Sequence, residues 1–193
     1  MQQRRLFSFK SSSMRSFRSL SVSIRKKLLY ITLFGIAFGY LEAAVVVYLR
    51  AIAYPSGFHI PLDLDFPFIH FGIHPALSPV PLKILLTEIG REAATIVMLA
   101  TLGILAGTTR RERFAFFLWP FAVWDICYYV FLKLLLQWPA SLSTIDVLFL
   151  IPVPWLAPVW LPLLCSLLML IISLMLLKTD TSPLKHLPAP NHL

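Results

Sequence analysis

Of the chain's 193 residues, 58% are hydrophobic and only 13% are charged; a soluble domain carries about 25% charged residues, so an ordinary globular fold in water is excluded and lipid is implied. The length accommodates four or five spans of about 20 apolar residues each. A net charge of +8 does not indicate a nucleic-acid partner, because Lys and Arg collect at the ends of apolar runs, where they set orientation in a bilayer.

Residues 1–27 are rich in Arg, Lys and Ser and contain no acid. Such a segment cannot bury enough apolar surface to fold alone and is expected to be a mobile basic cytoplasmic tail within reach of anionic headgroups. Arg4-Arg5 resembles a twin-arginine signal and the Arg/Ser bias a transit peptide. However, the run Leu28 to Leu49 exceeds a signal's apolar region and ends without a cleavage site, so it reads as a retained first helix over about 28–50.

Residues 51–81 contain Pro55, Gly57, Pro61, Pro67, Pro75 and Pro79 and no helical period, which makes them a long loop. Phe58, Phe66, Phe68, Ile69 and Phe71 are expected to hold that loop against the membrane surface or over the bundle mouth. Within it His70-x-x-x-His74 has helical spacing, but Gly72 and Pro75 make two solvated histidines the simpler reading.

A second helix is expected over about 82–107, closed by Gly107, and a third over about 114–136, after the basic connection with Arg110, Arg111 and Arg113. The stretch Ile145 to Leu177 is too long for one straight crossing and too short for two. Pro152, Pro154, Pro158 and Pro162 block a regular helix in its first half. Residues 145–157 are therefore expected to be interfacial or re-entrant, with Trp155 and Trp160 at headgroup level, and the fourth helix covers about 158–177. Residues 179–193 form a second tail.

The expected fold is all-α and integral to a membrane: a four-helix transmembrane bundle over residues 28–178 with a proline-broken interfacial or re-entrant segment before the last helix. Basic residues in the N-terminal tail, at 108–113 and at Lys178 and Lys185 place both termini in the cytoplasm under the positive-inside rule. The location is a cell membrane, with a bacterial inner membrane the first choice. A fifth crossing would export the C-terminus and leave Lys178 on the wrong side.

Charged residues inside these spans are the main functional signal, since each costs about 2.5–3.5 kcal/mol even on a mild insertion scale. Glu42 lies in the first helix, Glu88, Arg91 and Glu92 in the second, and Asp125 and Lys133 in the third, with Arg50 and Asp146 at the outer boundary. At the helical rise of ~1.5 Å per residue, Glu42, Arg91, Glu92 and Asp125 share a level roughly 12–16 Å below the outer surface. Glu42 follows Gly35-x-x-x-Gly39 on the side where small residues let helices approach, and so faces inward; Glu92 shares a face with Gly103. Asp125, Tyr129 and Lys133 repeat at i, i+4, i+8, with Tyr128 beside them, as a polar stripe along the third helix.

Three acids at the common level cannot all be neutralised by Arg91, which is expected to pair with Glu42 or Asp125 while Glu88 points partly elsewhere. The surplus suits a proton, a cation or an amine. Carboxylates projecting from several helices are the ligand type of di-metal sites, but no Glu-x-x-His occurs and no His lies in a helix, so no metal site is indicated. Cys127 and Cys165 form no CxxC pair and read as buried small residues. No nucleophile elbow, phosphate loop or zincin motif is present, and no cofactor is implied.

Three functional readings follow. The first is an outward-facing intramembrane pocket of Glu42, Glu88, Arg91, Glu92, Asp125, Tyr128, Tyr129, Lys133 and Asp146 that binds or transports a cation, a proton or a small polar solute. The second is an intramembrane enzyme acting on a lipid headgroup held by Arg91. The third is a structural or assembly subunit whose charges are completed by another membrane protein or by a second copy of the chain. The lipid bilayer is a partner in all three.

Overall fold

The computed structural model describes the backbone of residues 2–54, 70–71 and 80–179, with side chains for 23–54 and 80–178. Four helices dominate: α1 (Gln2–Ala53), α2 (Leu82–Ala106), α3 (Arg110–Leu136) and α4 (Trp160–Thr179). Each contains a stretch long and apolar enough to cross a membrane, namely Ser23–Ala53, Leu82–Ala106, Arg110–Leu136 and Trp160–Lys178. Large apolar side chains on these helices, among them Leu29, Leu33, Leu105, Leu134 and Met175, are exposed, an arrangement that water penalises and hydrocarbon does not.

α1 starts at Gln2 rather than near residue 28. The preceding segment contains neither Pro nor Gly, so nothing in it interrupts a helix that the apolar run already stabilises. The backbone is helical where a separate tail is expected. α3 likewise starts earlier than the expected residue 114. The Thr109 hydroxyl accepts from the Glu112 N–H at 3.1 Å and the Glu112 carboxylate accepts from the Thr108 N–H at 2.7 Å, a reciprocal cap that draws the three arginines into the first turn.

α3 is the hub, and α1, α2 and α4 all pack against it. Glycines make the closest approaches: a Cβ at Gly39 would lie 2.8 Å from Cys127 Cβ, and one at Gly103 2.6 Å from the Arg113 carbonyl oxygen. The second contact closes α2 onto α3 at their connected ends. Ser173 ties α4 to α3 by donating to the Ala115 carbonyl at 2.9 Å. Among the helices, α2 packs extensively against α3 alone.

The all-α expectation needs one correction. Residues β2 (Ile145–Phe149) and β3 (Trp155–Pro158) form an antiparallel hairpin, with β1 (His70–Phe71) on the other side of β3. Val147 stands opposite Leu156, and the register shifts between Val147 and Phe149. Ile145, Val147 and Phe149 suit strands, while Pro152 and Pro154 lie in the connection and Pro158 at a strand end, where a missing ladder donor is tolerated. Pro162 falls in the first turn of α4, where its N–H would be unpaired anyway. α1 runs on through Ala53 into the expected 51–81 loop, and residues 55–69 and 72–79 of that loop, with the proposed cover and His74, lie outside the described residues.

Candidate functional site

The four helices and the hairpin surround a cavity of about 570 Å³, within the range of small-molecule sites. Helical spacing selects its walls: Glu42, Val46, Leu49 and Arg50 from one face of α1, and Glu88, Arg91, Glu92 and Thr95 from one face of α2. α3 contributes Phe121, Trp124, Asp125, Tyr128 and Tyr129, and α4 contributes Leu161, Cys165, Ser166 and Met169. Asp146 and the segment from Val147 to Ile151 come from the hairpin.

Arg91 joins α1 to α2. Its guanidinium donates to Glu42, and its Nε donates to Glu88 Oε2 at 2.6 Å. The three side chains are only 26%, 14% and 13% exposed for Arg91, Glu42 and Glu88. Glu88 is thus a partner of Arg91, contrary to expectation, because i, i+3 neighbours on a helix share a face. Asp125 takes no part in this network; its Oδ2 accepts from the Ser166 hydroxyl at 2.7 Å.

Glu92 Oε2 accepts from the Leu150 backbone N–H at 2.8 Å, fixing the hairpin to α2. Asp146, 4% exposed, accepts from the Tyr129 hydroxyl at 3.1 Å. Burial pushes its carboxyl up to about 6, against the opposing pull of the Arg50 guanidinium and the Tyr129 hydrogen bond. Arg50 lies 3.9 Å over the Trp138 ring, and the Tyr128 and Tyr129 rings meet edge to face at 4.9 Å.

Eight of the nine candidate residues line this cavity, and Lys133 does not. Lys133 is exposed in the last turn of α3, where its ammonium donates to the carbonyls of Gln137 at 3.3 Å and Pro139 at 2.9 Å. Free carbonyls at a helix C-terminus attract such a cation, which draws it off the stripe. Arg50, Trp124 and Ser166 are wall residues that the sequence reading leaves out of the pocket. Only the position of Arg50 just above the common level signals it.

Trp124 is 6% exposed and packs against Phe38, Phe121 and Phe149 at 5.5, 5.1 and 6.4 Å between ring centroids. Its indole Nε1 is buried and has no acceptor among the described residues. Among those residues no three His, Cys, Asp or Glu side chains converge as metal ligands. What distinguishes the cavity is its charge: five carboxylates and two guanidiniums on otherwise largely apolar and aromatic walls. No protein-family model, curated protein or solved structure matches the chain.

Proposed function

We propose that the chain is a multi-pass membrane protein that binds an amine-bearing cationic molecule in this cavity. The observation that carries the reading is the imbalance between five acids and two arginines in a largely apolar enclosure, where charge is strongly felt. Arg91 is already engaged by Glu42 and Glu88, which weakens the alternative of an enzyme that uses it to hold an anionic headgroup. Glu92 and Asp125 are bonded to neutral donors, so their charges remain available to a ligand ammonium.

In this reading the α2–α3 connection, with its arginines, faces the cytoplasm together with both termini. The cavity and the hairpin then lie in the outer half of the membrane, the hairpin as an interfacial or re-entrant cover. Non-helical backbone is tolerated at such depth where it is buried in protein or lines a cavity. The test is equilibrium binding to the detergent-purified protein of 4-phenylbutylamine and its carboxylate counterpart, 4-phenylbutyrate. The amine should bind, and both Glu92→Gln and Asp125→Asn should weaken it by roughly tenfold or more. Equal binding of the carboxylate would overturn the reading.

A further inference from the structure

We infer that the end of the bundle where α2 connects to α3 is an interaction surface for anionic phospholipid headgroups. The inference goes beyond the amine-binding reading. It depends on the chain spanning a membrane, but it uses none of the residues that line the cavity.

Packing brings basic segments of α1 and α3 together at this end. Ile24, Leu28 and Ile31 of α1 join Ala106 of α2, Ala115 and Phe116 of α3 and Leu177 of α4 in one apolar cluster. Lys27 is used within the fold: its ammonium donates to the Ala106 carbonyl at 2.7 Å, as the open carbonyls of a helix C-terminus favour, and lies 5.7 Å from the centre of the Phe116 ring. Its neighbours Arg25 and Lys26 are exposed, as are Arg110 and Arg111. These four cations take part in no ion pair among the described residues. Glu112, the one acid among the described residues of this end, is turned to Thr108, whose N–H and hydroxyl donate to it at 2.7 and 2.5 Å.

The first turn of α3 therefore carries Arg110, Arg111 and Arg113 against a single acid, where the helix dipole disfavours cations. An anion from outside the chain improves that balance. The pattern next to the cations selects a lipid as its source. Arg25 and Leu29, Lys26 and Tyr30, and Arg110 and Phe114 are i, i+4 pairs that share a helix face. Leu29, Tyr30 and Phe114 are 58%, 68% and 53% exposed. On each face an exposed cation thus stands one turn, about 5.4 Å, outward of an exposed apolar side chain. A free anion in water leaves those apolar groups uncovered, whereas a phospholipid sets its phosphate against the cations and its chains along the apolar collar.

The experiment uses the full chain in vesicles of equimolar phosphatidylethanolamine and phosphatidylglycerol, with lipid retained after mild extraction identified by native mass spectrometry. The expected result is selective retention of phosphatidylglycerol. Two pair variants, Arg25→Gln with Lys26→Gln and Arg110→Gln with Arg111→Gln, should each reduce it by roughly tenfold while keeping the thermal midpoint of the unmodified protein in detergent. Arg110→Lys with Arg111→Lys should preserve retention, because the charge carries the recognition. Lys83→Gln, which removes an exposed cation at the far end of α2, should leave it unchanged. Equal retention of both lipids, retention unaffected by either glutamine pair, an equal loss with Lys83→Gln, or displacement by free glycerol 3-phosphate at concentrations matching the lipid would overturn the inference. Binding of 4-phenylbutylamine is read separately in detergent, so failure of either proposal leaves the other standing.

Discussion

The carboxylate of Glu92, near the middle of α2, holds the backbone N–H of Leu150 at 2.8 Å across 58 residues of sequence. The bond ties α2 directly to the hairpin. Glu92→Ala should therefore release the hairpin, raising amide hydrogen exchange around Leu150 by at least roughly tenfold and lowering stability by about 1–3 kcal/mol. Unchanged protection at Leu150 would show that the tie contributes nothing.

Arg91 neutralises Glu42 and Glu88 together. Removing one member of this part-buried network leaves carboxylates without their charged donor, with a loss of about 1–3 kcal/mol. Arg91→Met should lower the thermal midpoint in detergent markedly, and adding Glu42→Gln to it should recover part of the loss. A single variant as stable as the unmodified protein would mean that the three side chains are not organised as described.

Two glycines give opposite expectations. At Gly39 a methyl group would meet Cys127 Cβ at 2.8 Å and the Trp124 carbonyl oxygen at 2.9 Å, whereas at Gly90 it would meet nothing within 4 Å. Gly39→Ala should force α1 away from α3 at a loss of about 1–3 kcal/mol. Gly90→Ala should gain up to about 1 kcal/mol from helix propensity. Parallel thermal melts of the two variants check both signs.

Asp146 supplies a pH dependence. Its folded-state carboxyl is raised to about 6 by burial, above the ordinary value of about 3.9, so its favourable contribution is complete below about pH 4 and is lost as pH rises through about 6. Melting Asp146→Asn beside the unmodified protein at pH 4 and pH 7.5 isolates this effect. The variant should remove a loss on the order of 1–3 kcal/mol between the two pH values; identical pH profiles would contradict the assignment.

Much of the fold was legible because lipid-length apolar runs and glycine contacts are local features. The same helical arithmetic that put Glu42 and Arg91 at one depth describes two side chains that are bonded in the structure. The hairpin was not legible, because Pro152 and Pro154 mask β-forming neighbours and strand pairing depends on a partner ten or so residues away. The pairing of Arg91 with Glu88 depends on rotamers that i, i+3 spacing alone does not fix, and Lys133 is drawn off its stripe by carbonyls at the end of α3. The Trp124 N–H, without an acceptor among the described residues, depends on how rings from α1, α3 and the hairpin enclose it, which no spacing rule conveys.

The sequence predicts a pocket facing outward, and cysteine accessibility tests whether the acidic cavity is open to water from the non-cytoplasmic side. Single cysteines replacing Glu88, Glu92, Asp125 or Tyr129, which line the cavity, would be made in a background lacking Cys127 and Cys165. Leu99 and Leu118, both buried, serve as control positions. A membrane-impermeant thiol reagent added from outside should label the four cavity positions and spare the two controls. Uniform protection of all six would mean a dry core of mutually paired charges, and would contradict an open ligand-binding cavity.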